Sequence, residues 1–261
     1  MQTLLKKIDL LLDRHLILLL SLLLLVVLRV PNFFDPYWYG DEAIYLTLGQ
    51  SIRAGRALYT GIVDHKTPII YYLATVPNQF SFRLLLTFWM IITTTAFYQV
   101  ARRLIAHKLP LWLCTIGFVL LTTLPTFEGH IPNGELFVMG FVMVGMWILS
   151  SRNYLASLLN YKDNQPLFTP SKKQQYLIVL AGVFLGFGFL TKVPSLLDTA
   201  SVMFAAWLAW ISVVLTQSIR QHKLKLSVIS LLSHWLPLVV GFLLPVIFSV
   251  IYFVLVGSGN D

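Results

Sequence analysis

Long apolar runs constrain this chain more than any other feature; they recur near 16–34, 83–101, 110–126, 135–150, 176–191, 198–216 and 227–256. A helix needs roughly 20 mainly apolar residues to cross the hydrocarbon of a bilayer, and each run meets that need with some shortening or tilt. Hydrocarbon gives the backbone no hydrogen-bond partner, so a spanning segment of this kind must be helical. Composition agrees, since 57% of the residues are hydrophobic and 11% charged, against about 25% charged in soluble domains. The expected fold is therefore all-α, a polytopic transmembrane bundle of about seven helices, with a large first extracytoplasmic loop that holds interfacial helices. No internal repeat is visible, and residues 1–261 read as a single transmembrane module.

Lys6, Lys7 and Arg14 precede the first run, as in a secretory signal, but the first alanine of the chain is Ala43 and no small-residue cleavage motif follows the run. The segment is expected to be a retained anchor. Cys114 is the single cysteine, which excludes an intrachain disulfide. The formal net charge of +8 would suggest nucleic acid in a soluble protein. Here the charge sorts by side: all the Lys and Arg residues except Arg29, Arg53, Arg56, Lys66, Arg83 and Lys192 fall in segments on the side of the N-terminus. The positive-inside rule then predicts a cytoplasmic N-terminus in a multi-pass plasma (inner) membrane protein, with the first large loop outside. The charge is topology, and no nucleic-acid partner is expected. Acidic residues fall mostly on the other face, at Asp35, Asp41, Glu42, Asp64, Glu128 and Glu135. Charge at helix ends that insertion does not explain marks that face as a place for a site.

The first outer loop, 31–82, is too polar to span and too aromatic for a solvated linker. Phe33, Phe34, Tyr37, Trp38, Tyr39, Tyr71 and Tyr72 bracket it, which predicts that it lies on the membrane. Ile44, Leu48 and Ile52 recur at helical spacing while Glu42, Gln50 and Arg53 fall on other faces, so an amphipathic helix is expected from 42 to about 54, closed by Gly55. Asp41 would then be its N-cap, worth about 1 kcal/mol. Its company points to chemistry as well: Glu42 beside it, Arg53 and Arg56 one helix away, then Asp64, His65 and Lys66. Carboxylates near a low-dielectric boundary act as general bases and cations there hold phosphate. Asp64, His65, Glu128, His130 and Glu135 supply the donor types of a divalent-metal site, without tight ligand spacing to support one.

An ordered series then carries a resemblance: YGDEAIYLTLGQSIRAG after the first helix, HKTPIIYYL closing the loop, FRLLLTFWMIITTTAFYQVARRL, IPNGELFVMGFV, and AGVFLGFGFLTKVPSLL. The series spans 37 to 197 and resembles the type C glycosyltransferases, in the branch similar to protein O-mannosyltransferases and the aminoarabinose transferase of lipid A. The resemblance implies a polyprenyl-phosphate sugar donor, a glycan, lipid or protein hydroxyl as acceptor, and transfer with inversion on the outer face. It matches Asp41 to the acidic residue that activates the acceptor; Glu42, its neighbour, is a catalytic candidate with no step assigned to it. It matches Lys66 to the cation at the lipid phosphate, with Arg53, Arg56 and Lys192 as further cations. Glu135 stands where many relatives carry an acidic residue in the second outer loop and is expected to orient the acceptor or a cation, or else to start its helix as a carboxylate in the first turn; His65, Glu128 and His130 are expected to shape the loops around it. His65 replaces a Glu of close relatives, and Thr67 separates Lys66 from Pro68, which departs from the pattern. Relatives continue with further helices and often a soluble domain, so the chain is expected to correspond to their core. Asp41, Lys66 and Glu135 are expected to face one cavity.

Two rival readings remain. A transporter or flippase of lipid-linked substrates would show buried midplane charges and repeated halves, whereas these charges cluster at helix ends. A non-enzymatic partner subunit is the other. The inner stretch 151–175, with Lys172 and Lys173, reads as a connector touching anionic lipid. Gly182 and Gly186 have the spacing that lets helices approach closely, and Pro237 and Pro245 are expected to kink the last helix.

Overall fold

The computed structural model describes residues 2–37, 40–150, 170–221 and 224–257, with side chains from Leu16 onward except at 206, 209–210 and 212–231. Most of the inner connector, Trp38 and Tyr39, and the side chains of Lys6, Lys7 and Arg14 lie outside the described residues. Nine helices follow in order among those described: α1 (Gln2–Arg29), α2 (Gly40–Arg53), α3 (Ile69–Leu73), α4 (Gln79–Leu104), α5 (Lys108–Leu121), α6 (Gly134–Leu149), α7 (Lys172–Thr191), α8 (Ser195–Gln221) and α9 (Leu224–Val256). No strand forms among the described residues.

Four stretches are long and apolar enough to cross a membrane: Leu16–Phe33, Gln79–Leu104, Lys172–Thr191 and Leu232–Val256. The other three runs form apolar helices as well, but Lys108–Leu121, Gly134–Leu149 and Ser195–Ala205 are shorter than a straight crossing needs. The last span has a mean hydropathy of 2.8 with 11% of it buried inside the protein. A surface so apolar and so little covered needs an apolar medium around it.

The helix ends are written in the sequence. The Asn78 side chain accepts from the Ser81 N–H to start α4, Asn133 does the same for Leu136 at α6, and Ser171 with Gln174 forms a capping box at α7. At the other end of α4, Arg103 donates to the Trp147 carbonyl at 2.9 Å and the Ser150 hydroxyl at 2.5 Å, closing the C-terminus of α6.

The helices pack in a row, α9 on α7, α7 on α6, α6 on α4, with α1 and α5 against α4 and α8 beside α6, α7 and α9. Where α7 meets α9, a Cβ on Gly182 would lie 2.3 Å from the Leu238 carbonyl and one on Gly241 2.1 Å from that of Val179. Only glycine permits that backbone contact, as the spacing in α7 suggested. Pro245 packs on Gly186 of the same seam, and α9 runs on as one helical element through both prolines.

The stretch between α1 and α4 is folded into the bundle rather than resting beside it. Tyr45, Leu46, Leu58, Ile70 and Tyr71 join Phe82, Leu86, Met90, Leu136 and Phe137 in one buried cluster. The face of α2 that turns inward carries Glu42, Tyr45, Leu46 and Gly49, while Ile44 is exposed and Leu48 and Ile52 are half-buried. This corrects the amphipathic reading, because apolar periodicity cannot register that a buried arginine is waiting for Glu42. Tyr71, grouped by sequence with the interfacial aromatics, is fully buried. Asp41 also is not the N-cap, since α2 begins at Gly40 and puts Asp41 within its first turn. Gly55 ends the helix as expected, with φ of 87°.

Candidate functional site

Of the six cations that charge sorting left apart from the rest, Arg83 holds the 31–82 loop and Arg29 the α5–α6 connection. Arg83, in the first turns of α4, donates from Nε and Nη2 to the two Glu42 carboxylate oxygens, each at 2.7 Å. Both side chains are essentially fully buried. Arg83 also donates to the carbonyls of Asp35, at 2.7 Å, and Asn32, and Gln79 donates to Glu42 at 3.2 Å. A buried fork of this kind persists only when nearly every donor and acceptor is met. Arg29 at the end of α1 is likewise buried and donates to the Gly129 and Thr122 carbonyls at 2.7 and 3.2 Å, tying the α5–α6 connection to α1.

Asp41 faces away from Glu42. Its Oδ2 accepts from the Tyr45 hydroxyl one turn along α2 at 2.9 Å and pairs with Lys66 Nζ at 2.8 Å. Lys66 Nζ also donates to the Tyr45 hydroxyl at 2.9 Å, above the ring face, 4.6 Å from its centroid. Partial burial pushes the Asp41 carboxyl upward, but hydrogen bonds from Lys66 and Tyr45 and the charges of Lys66 and Lys192 outweigh it and hold Asp41 below the usual carboxylate range. Burial, the bond to Asp41 and the Asp41 and Glu135 charges push the Tyr45 phenol far above its usual range.

The segment that delivers Lys66 is fixed by Tyr59, whose hydroxyl donates to the Lys66 carbonyl at 2.6 Å. Tyr59 has φ of 72°, a conformation uncommon for a bulky residue that costs on the order of 1–3 kcal/mol. Burial and then Asp64 push its phenol to about 12. Neighbouring Asp64 is held below the usual range, because the Tyr71 hydroxyl, the His65 N–H and nearby charge outweigh its own burial.

Glu135, in the first turn of α6, pairs with Lys192, the residue at which α7 ends. Gly134 brings this pair to the Asp41 group, since a Cβ there would stand 3.3 Å from the Lys192 side chain and 3.8 Å from the Tyr45 hydroxyl. Asp41, Lys66, Glu135 and Lys192, drawn from four parts of the chain, thus form one polar group around Tyr45.

The other expected site residues lie apart from it. Arg53 and Arg56 are exposed at the far end of α2, Arg53 about 18 Å along the helix from Asp41. His65 is exposed and pairs with Asp64 at 2.7 Å. Glu128 sits in a left-handed turn with its carbonyl accepting from Asn133 at 3.3 Å. His130 is buried beside the Arg29 and Arg83 anchors, its carbonyl accepting from Asn32 at 3.1 Å, and burial chiefly lowers its imidazole pKa. Among the described residues no three His, Cys, Asp or Glu side chains converge closely enough to hold a metal ion.

Two residues after Lys66, Pro68 enters the lining of an apolar groove of about 550 Å³ between α3, α7 and α9, bordered also by Ile69, Phe187, Leu190, Phe248 and Phe253. The Tyr59 ring packs on Phe253 with centroids 4.9 Å apart, so the residue that fixes Lys66 also touches a residue of the groove wall. Sequence reasoning missed Tyr45, although its place four residues after Asp41 puts it on the same helix face. It also left Arg83 without a role, because nothing in α4 marks which loop carboxylate it will meet. No family model, curated protein or solved structure matches this chain.

Proposed function

We propose that this chain is a membrane glycosyltransferase that moves a sugar from a polyprenyl-phosphate donor to a hydroxyl acceptor, with inversion, at the outer ends of seven spanning helices. The observation that carries the reading is the Asp41–Tyr45–Lys66 group, whose Lys66 lies two residues before Pro68, the first residue of the apolar groove lining. A carboxylate, an ammonium and an isoprenoid-compatible trough in that order suit a substrate that is apolar at one end and anionic at the joint. The segregation of cations to the opposite helix ends supports a cytoplasmic N-terminus in the plasma (inner) membrane.

The isoprenoid lies in the groove and its phosphate takes the Lys66 ammonium. In the resting site that ammonium is on Asp41 and makes the carboxylate a weak base. When the phosphate draws Lys66 away, Asp41 loses its principal stabilising partner and becomes more basic, so donor binding prepares proton removal. The acceptor oxygen then forms its bond to the anomeric carbon as Asp41 takes the hydroxyl proton. The bond from that carbon to the phosphate oxygen breaks, and its electron pair leaves on the polyprenyl phosphate, where Lys66 and Lys192 meet the added charge. Glu42 acts indirectly, by fixing α2 through Arg83, and Glu135 orients Lys192 and the acceptor. Arg53 and Arg56 stand too far away for the phosphate and serve the lipid surface.

The test is turnover of a radiolabelled polyprenyl-phosphate hexose by the chain in nanodiscs. Asp41→Asn is expected to lower turnover about 10²–10⁴-fold while the donor still binds, and Lys66→Ala to weaken binding and turnover together. Turnover by Asp41→Asn at the wild-type rate removes the base.

A further inference from the structure

We infer that the cavity between the first turn of α8 and one face of α6 binds a hydroxyl-bearing amphiphile and is the acceptor subsite of the reaction above, on which the proposal rests. The cavity measures about 350 Å³, has the Glu135–Lys192 pair in its lining, and shares no lining residue with the groove. Its α6 wall is a single helical face that starts at Glu135 and continues through Val138 and Met139 to Val142 and Met143. The polar group therefore stands at the Glu135 end, and from Val138 the wall is apolar out to Met143, about 12 Å along the helix.

Ser195 and Asp198, in the first turn of α8, complete the polar end. Ser195 is 2% exposed and its Oγ makes no hydrogen bond. A buried hydroxyl without a partner is costly, and a ligand hydroxyl in the cavity would satisfy it. The charges narrow the ligand class: Glu135 and Asp198 outnumber Lys192, so a phosphate or carboxylate is repelled, whereas neutral hydroxyls can donate to both carboxylates and accept from Lys192. The methionines give a wall that adapts to alkyl groups of different shape. Because Gly134 sets the Glu135–Lys192 pair against the Tyr45 hydroxyl, a head group in this cavity is one ion pair away from the Asp41 carboxylate.

The probe is an alkyl β-glucoside with a diazirine on its chain, added to the full chain in nanodiscs and located by mass spectrometry. Labelling is expected on the α6 peptide and should be displaced by unlabelled alkyl glucoside but not by the corresponding alkane. Ser195→Ala and Asp198→Asn should each weaken displacement roughly threefold to tenfold, the effect of one hydrogen bond. Val142→Trp, which fills the cavity, should remove the displaceable label, while Leu113→Trp on an exposed face of α5 should not. Retained labelling of the groove by a photoreactive polyprenyl phosphate shows that a variant is folded. Labelling of α6 that is not displaced, or that survives Val142→Trp in full, overturns the proposal. Donor hydrolysis without displaceable labelling also overturns the cavity and leaves the donor reading standing. Displaceable labelling in a chain that never consumes donor supports the cavity as a binding site and overturns its role in glycosyl transfer.

Discussion

Successive residues of a helix are turned about 100° from one another, so Asp41 and Glu42 cannot share an environment. Glu42 points into the bundle and meets the Arg83 fork; Asp41 points to Tyr45 and Lys66. The two pairs differ in what their loss does. Breaking the buried one leaves an unpaired charge out of reach of water, so Glu42→Gln or Arg83→Gln should cost about 3–5 kcal/mol, read as a lower unfolding midpoint in detergent. The paired change to Leu and Met should recover most of that, because neither charge is then stranded. The partly exposed Asp41 pair instead sets a pH dependence. Asp41 is held below its ordinary value of 3.8 when folded, so its stabilising effect is complete above that value and is lost as pH falls through the depressed one. Hydrogen-exchange protection of residues 40–53, corrected for intrinsic rate, should stay level from neutral pH to about that point and then fall. In Asp41→Asn the Asp41 contribution to that fall should be absent.

At the scale of elements, close contact between backbones decides what a side chain can do. The α7–α9 seam has no room for a Cβ at Gly182 or Gly241, and the groove proposed for the isoprenoid is formed by the same two helices farther along. Gly182→Val should therefore separate them, with a loss of roughly 1–3 kcal/mol from overpacking and weaker polyprenyl-phosphate binding, measured by photolabelling. Loss of stability with donor binding unchanged would uncouple the seam from the groove. At α2 the equivalent contact is Gly49, where a Cβ would lie 2.2 Å from the Ala74 carbonyl. That contact and the Glu42–Arg83 pair explain why the buried face of α2 is rotated away from the stripe that Ile44, Leu48 and Ile52 mark, leaving Leu48 and Ile52 at its edge. Hydrophobic periodicity reports the average medium on each side of a helix, and one buried ion pair overrides it.

For the whole molecule, the Asp41 group stands at the end where α1 and α7 finish and α4 and α6 begin, while Arg102, Arg103 and Lys172 mark the opposite end. With Cys114 replaced by serine, cysteines placed singly at Val63 and Lys172 should be modified by an impermeant maleimide from opposite sides of the membrane, Val63 from outside. Labelling of both from one side removes the proposed topology. The apolar runs by themselves determined an all-helical chain suited to a bilayer, because in hydrocarbon composition and backbone hydrogen bonding leave one solution. The caps Asn78, Asn133 and Ser171 and the close glycines of α7 were equally legible, being local signals read within a turn or two. Asp41, Lys66, Glu135 and Lys192 could be named from the sequence as outer-face charges, but their partners could not. Which carboxylate is buried, that Tyr45 joins Asp41 to Lys66, and that Arg53 and Arg56 stand away from both depend on contacts between residues tens of positions apart. Ion pairs and close packing act over a few ångströms in space, so only the tertiary structure decides them.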